Sequence, residues 1–482
     1  MTKSVAALAL ACAAICALAG CGGAALSPPP VTLRQAQGDT PRALPHYRVT
    51  LSPSTSLRIN SVEGRHGLHD SSTTPIKHVV FIIQENRSFN NLFMGYPGAT
   101  TASYGYDARG HKVQLHAEGL ATGWDLNHSA AAFFADCDGA AKLPGTNCKM
   151  DGWNKKREAN DPPNAAYAYV PRKEIKPYWT MAQQYVLADR MFTSNLDASF
   201  AAHQYAVAAY ASRSVDGPYA DWGCEGGKSD TIQTLTDQRT KGKSIVVCFD
   251  NPTIADEADA AGVSWRFYAS GIDDDGGTWS SYQADRKIFH GPDWSADVIS
   301  PATRFFKDVG HGKLAAITWI TPPSWDSSDH PGLLGSKGPA WVTSLVNAVG
   351  ASKFWKSTAI FVMWDDWGGW FDPVPPVYED YDGLGFRVPL LIISPYARNG
   401  RVTHVQYETA SVLRFIEDDF GLGQLAASDA RANDPANDLD AFDFSQSPRK
   451  FRKIAGGKDG PYWIRAQQVK RPRKLPPANF GD

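Results

Sequence analysis

The chain lacks a strong net charge of either sign. Its 482 residues carry 48 Lys and Arg against 50 Asp and Glu, a formal net charge of −2. Such a balance gives no long-range attraction to nucleic acid, and no arginine-rich or zinc-finger pattern occurs in the sequence. We therefore exclude nucleic acid as a partner. The hydrophobic content of 43% is enough for a large core, so we expect a globular protein.

The apolar run at the N-terminus is too short to cross a membrane. It covers residues 5–20, whereas a transmembrane helix needs about 20 apolar residues. The run ends in LAGC (18–21), which resembles a bacterial lipoprotein signal that is cut before its cysteine. We predict a signal peptide over residues 1–20, lipidation of Cys21, and an exported, membrane-anchored lipoprotein facing the periplasm or the cell exterior. The alternative is an ordinary signal peptide cleaved at another position.

Cysteine is scarce, and no CxxC spacing typical of a zinc site is present. Of the seven cysteines, two lie within the predicted signal and Cys21 would be lipidated, which leaves four. An even number is what disulfides require in an oxidising compartment. Four cysteines allow three connectivities. We favour the pairs Cys137–Cys148 and Cys224–Cys248, because each closes a short loop rich in Gly and Asp.

Turn-forming and apolar residues divide the chain into segments. Residues 21–75 are rich in Pro, Ser, Thr and Gly, which predicts a flexible tether, and residues 76–425 form the predicted catalytic domain. Helical periodicity occurs over 341–355 and 408–422. Buried strands are predicted at 78–83, 243–249, 314–320, 357–364 and 388–395. Strands separated by helices indicate an α/β fold with a mainly parallel sheet.

The last segment, residues 426–482, is predicted to be an acidic connector followed by a basic extension. Residues 449–474 carry ten Lys or Arg against one Asp. A basic tail near a membrane would contact anionic lipid phosphates. The alternative is a solvated tail that wraps around the body, because Tyr462, Trp463 and Ile464 favour burial.

Two predicted strands end in dense polar clusters. The first leads into Glu85 and Asn86, and the fourth leads into Asp365 and Asp366. Ligands collect at the carboxyl ends of strands in open parallel sheets. Three carboxylates and an amide oxygen cannot share a small space without a partner, because the like charges of the carboxylates repel each other. A bound cation removes this conflict. We therefore predict one divalent metal ion held by these four residues, and its identity stays open because all-oxygen ligands suit several ions.

Two further polar features point to phosphate chemistry. Ser199 precedes a run with helical periodicity, so it is either a helix N-cap or a hydroxyl beside a phosphate bound at the helix N-terminus. His330 belongs to the stretch SSDHP (327–331), which is more polar than a structural loop requires.

Several segments resemble, in order, the motifs of a bacterial phosphoesterase family that contains phospholipases C and acid phosphatases. The resemblance covers residues 76–422, and an ordered set is far more specific than any single motif. This family belongs to the alkaline phosphatase superfamily, which implies an α/β sandwich with a central, mostly parallel β-sheet flanked by helices. The segments are ENRSFNNLF (85–93), MDGW (150–153), DHP (329–331), WDDWGGWFD (364–372) and GFRVPLLIISPYAR (385–398).

The resemblance also implies roles for single residues. Glu85, Asn86, Asp365 and Asp366 match the family's metal-binding positions, and Ser199 matches its serine or threonine nucleophile.

Histidines and one arginine complete the predicted site. His330 matches a histidine of the family that binds phosphate or protonates the leaving group, and His128 and His290 match two further active-site histidines. Arg87 follows the metal ligands directly and would clamp phosphate with two nitrogens. Its alternative role is a strut to a carboxylate, because a helix starting at Ser88 would direct it away from the site.

These features predict an exported, metal-dependent phosphoric ester hydrolase with a serine nucleophile. Its substrate would be a phosphate monoester or a phospholipid, and the choice between acid phosphatase and phospholipase C stays open. One alternative is a sulfatase or phosphonate hydrolase of the same superfamily, although ASFAAHQ (198–204) lacks the C/S-x-P-x-R pattern of sulfatases. Another is a non-catalytic surface lipoprotein that binds lipid head groups.

Overall fold

The structure is a computed structural model that describes residues 74–218, 221–332 and 335–467. The predicted signal peptide, Cys21 and almost all of the predicted tether lie outside the described residues. Within the part of the chain that the structure describes, no helix has both the length and the apolar character needed to cross a membrane.

An eight-stranded sheet forms the centre of the fold. Its order is β4-β3-β5-β1-β6-β7-β2-β8, with the strands numbered along the chain. They are β1 His78–Gln84, β2 Val186–Ala188, β3 Trp265–Tyr268, β4 Val298–Ile299, β5 Ile317–Ile320, β6 Thr358–Trp364, β7 Leu390–Ile393 and β8 Arg401–Thr403.

The sheet is mostly parallel. Strand β7 alone runs antiparallel to its neighbours β6 and β2, and every other pair within the sheet is parallel. Strands β1 and β6 lie side by side from His78 opposite Thr358 to Gln84 opposite Trp364. Both are almost entirely buried, as expected for apolar strands covered on two faces. Because they end at the same level, the residues that follow them are neighbours.

Helices flank this sheet, and the two predicted from periodicity are present as α9 and α10. Helix α10 packs against α4, and α3 packs against α9. The helices are α1 Phe89–Phe93, α2 Ala130–Cys137, α3 Lys176–Gln184, α4 Ser199–Ala208, α5 Ile254–Ala261, α6 Arg286–His290, α7 Asp293–Ala296, α8 Arg304–Gly310, α9 Gly338–Gly350, α10 Thr409–Phe420, α11 Ala427–Arg431 and α12 Gly460–Gln467. The predicted α/β class with a mostly parallel sheet is confirmed.

Short strands outside the central sheet form small sheets of their own. Three of these sheets have two strands, and one has three. The strand pairs are Tyr104–Tyr106 with Lys112–Gln114, His116–Ala117 with Ala168–Tyr169, and Met191–Phe192 with Tyr407–Glu408; the three-stranded sheet contains Ser214–Val215, Thr231–Thr234 and Ile245–Val246.

The prediction of a central strand over 243–249 is wrong. Only Ile245–Val246 forms a strand, and it pairs with Thr231–Thr234 away from the central sheet. The apolar residues of this segment bury themselves locally instead, where Val247 and Phe249 pack in a small cluster with Trp222.

Both predicted disulfides are present. One joins Cys137 to Cys148 and the other joins Cys224 to Cys248. Each joins two cysteines that are close in the sequence and so closes a short loop, as predicted.

The described part of the predicted C-terminal extension packs on the body. Phe442 is buried in the main core, and Trp463 is buried against Trp341 with ring centroids 5.1 Å apart. The indole of Trp463 donates to Ser344 Oγ at 2.8 Å. This arrangement agrees with the alternative in which the extension wraps around the body, since Phe442 and Trp463 are buried. The division into a catalytic domain and an extension stays a prediction.

Candidate active site

Hydrogen bonds join the end of β1 to the loop that contains His330. The side chain of Gln84, the last residue of β1, donates to Ser327 O at 3.1 Å and accepts from Asp329 N at 3.0 Å. Asp329 is itself held by the hydroxyl of Tyr178 at 2.8 Å. The polar stretch at 327–331 is therefore fixed beside the strand end.

Asn86 turns the chain and joins the two strand ends. Its backbone is left-handed, with φ 59°, a conformation that asparagine tolerates better than most residues. Its N–H donates to Asp365 Oδ1 at 2.8 Å, and its Nδ2 donates to Asp366 Oδ2 at 2.7 Å and to Ser199 Oγ at 3.1 Å. One amide therefore contacts both aspartates and the predicted nucleophile.

Ser199 is the first residue of α4 and is not its N-cap. The cap position is Ala198, and no side chain makes a capping hydrogen bond there. The hydroxyl of Ser199 instead donates to Asp366 Oδ2 at 3.0 Å, and the residue is fully buried. The N-cap interpretation is wrong, because the hydroxyl faces the carboxylates rather than the first turn of its own helix.

The double glycine after Asp366 allows this close approach. Gly368 has φ 61° and donates its N–H to Asp366 Oδ1 at 2.7 Å. A Cβ atom at Gly368 would lie 2.2 Å from Asn86 O, a distance that no side chain tolerates. Glycine is required at this position both for the left-handed backbone and for the contact with Asn86.

The buried carboxylates need a positive partner. Burial raises the pKa of Glu85 well above its usual value, and the nearby Asp365 raises it further. Burial and the nearby Asp365 also raise the pKa of Asp366 well above its usual value. Among the described residues, Glu85 Oε2, Asn86 Oδ1 and Asp365 Oδ2 are buried without a hydrogen-bond partner. Unpartnered buried oxygens of this kind fit a bound divalent cation.

His203 is a member of the site that sequence reasoning missed. Its Nε2 lies 3.1 Å from Glu85 Oε1 and 3.8 Å from Asp365 Oδ2, and potential ligand atoms of these three residues lie within 4.8 Å of one another. Burial lowers the pKa of His203 to about 4, so its imidazole is neutral near pH 7. The signal was present in SFAAH (199–203), because residues four apart share a helix face.

A second group contains His128, His330 and Asp125. His128 Nε2 lies 3.2 Å from Asn86 Nδ2, and the rings of His128 and His330 are 5.9 Å apart. Asp125 Oδ2 lies 4.0 Å from His330 Nδ1. Burial raises the pKa of Asp125 to about 7 and lowers the pKa of His330 to about 3. Asp125 was also missed, although it stands three residues before His128.

Residues 76–423 match the Phosphoesterase family. The chain belongs to this family. The resemblance noted in the sequence motifs is thereby confirmed.

Relatives of this Phosphoesterase-family chain include phospholipases C. Hemolytic phospholipase C from Pseudomonas aeruginosa is 25% identical over 429 residues, covering 77% of this chain and 56% of that protein. Phospholipase C A from Mycobacterium tuberculosis is 24% identical over 437 residues, covering 79% of each chain. The chain thus spans little more than half the length of the first relative. A solved structure of an alkaline phosphatase superfamily protein from Vibrio parahaemolyticus matches with a TM-score of 0.33 and 12% identity, covering 73% of this chain and 69% of that one, which is too weak to carry an argument.

In this member of the Phosphoesterase family, most of the predicted site residues lie together. Asn86 contacts residues from both strand ends, from α4 and from the segment that carries His128. The residues brought together are Glu85, Asn86, His128, Ser199, His330, Asp365 and Asp366.

His290 does not lie in this cluster. It is exposed at the end of α6, where its ring lies within 4.8 Å of the sulfur atoms of Cys224 and Cys248. Its position does not fit the predicted active-site role. The IFHGPDW segment (288–294) resembled the family only loosely, and the sequence around a histidine does not show where its side chain will lie in the fold.

Arg87 is a strut rather than a phosphate clamp. Its Nε donates to Asp329 O at 2.8 Å, its Nη2 donates to Leu120 O at 2.6 Å and its Nη1 donates to Asn91 Oδ1 at 3.3 Å. The guanidinium is fully buried and lies over the ring of Trp370 at 4.8 Å. Each of its three nitrogens donates to a protein oxygen, which does not fit the predicted phosphate contact. The acceptors are two backbone carbonyls and one amide oxygen, and not the carboxylate of the alternative prediction.

Proposed function

We propose that this chain is an exported, metal-dependent phosphoric ester hydrolase in which Ser199 Oγ is the nucleophile. The observation that carries the proposal is the position of this hydroxyl, which donates to Asp366 Oδ2 at 3.0 Å and accepts from Asn86 Nδ2 at 3.1 Å. A serine hydroxyl becomes a nucleophile when a neighbouring group accepts its proton. Membership in the Phosphoesterase family supports the same chemistry.

The helix that begins at Ser199 supplies a second favourable feature. Helix α4 has ten residues, and its first N–H groups have no partner from a capping side chain. The N-terminus of a helix attracts anions through these N–H groups and the helix dipole. A phosphate group attacked by Ser199 would therefore lie where negative charge is stabilised.

The carboxylates provide the place for a divalent ion. Glu85, Asn86, Asp365 and Asp366 would hold it, and the unpartnered oxygens of Glu85, Asn86 and Asp365 support this assignment. Bound there, the ion would neutralise phosphoryl charge and make the Ser199 hydroxyl easier to deprotonate.

The reaction proceeds in two displacements. Ser199 Oγ attacks the phosphorus while its proton passes to Asp366 Oδ2, a Ser199–phosphorus bond forms and the bond to the leaving alcohol breaks. Asp125, which lies beside His330, would supply the proton that the leaving alkoxide takes up through the group of His128 and His330. Water then cleaves the bond between phosphorus and Ser199: its hydroxyl joins the phosphate, its proton restores Asp125, and the proton on Asp366 returns to Ser199 Oγ. Asp125, with its pKa raised to about 7, would hold a proton next to His330 near neutral pH.

The substrate is proposed to be a phosphate monoester or a phospholipid, since relatives of this chain are named phospholipases C. A panel of p-nitrophenyl phosphate, p-nitrophenylphosphorylcholine and phosphatidylcholine, each tested at several pH values with and without a chelator, distinguishes these substrates. We expect turnover of at least one and its loss on chelation. Acid quench with a labelled substrate is expected to leave phosphate on the peptide that contains Ser199. Label on another peptide, or turnover that survives chelation, would contradict the proposal.

The lipid anchor is proposed from the LAGC sequence at 18–21. Cys21→Ala should move the protein from the membrane fraction to the soluble fraction, because the acylated residue is lost. An unchanged distribution between the fractions would show that Cys21 carries no anchor.

A further inference from the structure

The side chain of His203 lies among the carboxylates of the site, close enough to them to share a bound ion. It is buried, with a side chain 3% exposed, and it stands one helical turn after Ser199. Its Nε2 faces two carboxylates at once, Glu85 Oε1 at 3.1 Å and Asp365 Oδ2 at 3.8 Å. Both carboxylates are among those proposed above to hold the metal ion.

The spacing of these three groups is that of ligands on one ion. Two atoms bound at about 2.1 Å to the same ion lie about 3.0 Å apart in octahedral geometry and about 3.4 Å apart in tetrahedral geometry. The contacts of His203 Nε2 at 3.1 and 3.8 Å are close to these separations. Within the described ranges of the chain, Asp365 Oδ2 and Glu85 Oε2 are buried and have no hydrogen-bond partner, so they are available to the same ion.

We propose that His203 Nε2 is a direct ligand of the metal ion, together with Glu85 and Asp365. This inference rests on the metal site of the proposed function and adds a nitrogen to its oxygen ligands. Imidazole favours Zn²⁺ and other transition-metal ions, whereas sites made only of oxygen suit Mg²⁺ and Ca²⁺. The centre is therefore a mixed nitrogen and oxygen site that selects a transition-metal ion over Mg²⁺ and Ca²⁺.

The competing role for His203 is a hydrogen bond from Nε2 to Glu85 that only orients the carboxylate. In that role no nitrogen is bound to the ion. Direct detection of a coordinated imidazole therefore separates the two roles, and enzyme activity is not needed as a readout.

The experiment uses the purified mature protein, stripped with a chelator and reloaded with Cu²⁺ as a spectroscopic probe. Pulsed electron paramagnetic resonance of this protein should show the nitrogen coupling of a bound imidazole, and His203→Gln should remove it. His404→Gln is the matched control, because His404 also contacts a buried aspartate, Asp189, at 2.8 Å. That variant should keep the coupling.

Calorimetric titration with Zn²⁺ and with Mg²⁺ gives the second readout. The preference of the wild type for Zn²⁺ over Mg²⁺ should fall at least about tenfold in His203→Gln, because the variant loses the imidazole that favours Zn²⁺ and keeps the oxygen ligands that suit Mg²⁺. Equal weakening of both ions would overturn the inference.

The outcomes separate this inference from the proposed function. A wild type that binds no divalent ion would overturn both the metal dependence and the role of His203. A wild type that binds the ion without imidazole coupling, or a folded His203→Gln variant that keeps the coupling, would overturn the role of His203 alone. His128 lies 3.2 Å from Asn86 and is a second imidazole near the ion, so coupling in the wild type is assigned to His203 only by comparison with variants. If His203→Gln does not fold, His128→Gln makes the assignment: coupling that persists supports His203, and coupling that disappears would overturn its role.

Discussion

Replacing Ser199 with alanine should abolish catalysis and leave the fold almost unchanged. The substitution removes a hydroxyl that donates to Asp366 and accepts from Asn86. The partners keep other bonds, because Asn86 Nδ2 still donates to Asp366 at 2.7 Å and Gly368 N still donates to Asp366 at 2.7 Å. No buried group is left unpartnered by the change, so we expect a loss of about 1 kcal/mol in the free energy of unfolding.

The expected effect on catalysis is much larger. Loss of a serine nucleophile lowers kcat by about 10⁴-fold or more, because no neighbouring hydroxyl replaces it. That factor corresponds to about 5 kcal/mol of activation free energy, several times the expected loss of stability. Phosphate release should therefore vanish in a protein whose melting temperature is close to that of the wild type.

Ser194→Ala is the matched control. Ser194 is also fully buried, donates to a carboxylate, Glu408 Oε2, at 2.8 Å and accepts from Ala410 N at 3.1 Å. It should lose a similar or larger amount of stability and keep its activity. Both variants are assayed with the preferred substrate of the panel and by thermal unfolding. An active Ser199→Ala enzyme would refute the reasoning, because water would then attack the substrate without a covalent intermediate.

Three further predictions concern the metal site, the buried ion pair and the pH dependence of stability. Asp365→Asn should lower the metal content measured by elemental analysis and reduce turnover by several orders of magnitude; full metal content with normal turnover would contradict its role as a ligand. Asp372→Asn should cost about 3–5 kcal/mol in denaturant unfolding, because it removes the charge that pairs with the buried guanidinium of Arg387 and replaces one of the two accepting oxygens, at 2.9 and 3.0 Å, with a donor. Asp443→Asn, in an ion pair at the surface, should have a much smaller effect. Burial raises the pKa of Glu417 to about 9 from an ordinary value of 4.5, so its contribution to stability is complete below pH 4.5 and is lost as pH rises toward 9. Between pH 5 and 9, the melting temperature of Glu417→Gln should therefore fall less than that of the wild type. Melting temperatures that fall equally with pH in both proteins would contradict this.

The centre of the fold could be predicted because its signals are local and strong. The runs at 78–83 and 357–364 consist of residues that favour strands and contain almost no polar side chain, so burial on both faces was expected. The polar residues after each run were then expected to meet at one edge of a parallel sheet. Strands β2 and β3 were missed because they are only three and four residues long, and short strands carry too little periodicity to stand out.

Which histidines and carboxylates belong to the site could not be predicted from neighbouring residues alone. His203 and Asp125 lie in the site, and His290 does not. The spacing of four residues from Ser199 was the one local sign of the position of His203, and the sequence around Asp125 and His290 carries no comparable sign. A histidine or a carboxylate has the same chemistry in any segment, and only its distance from other groups makes it a ligand or a proton donor. The role of Arg87 was open for the same reason, since the carbonyl groups that hold it come from Asp329 and Leu120, far along the chain.

The sequence by itself therefore determined the elements that depend on neighbouring residues: the two buried strands, the polar residues at their ends, helices α9 and α10, and the two disulfides that close short loops. The tertiary structure decided which distant groups meet. Contacts such as Asn86 with Ser199 and Asp366, or His203 with Glu85, join residues separated by more than 100 positions. Such contacts are set by the order and direction of strands in the sheet, because the parallel register of β1 and β6 brings their ends to one level and α4 delivers Ser199 and His203 to the same edge.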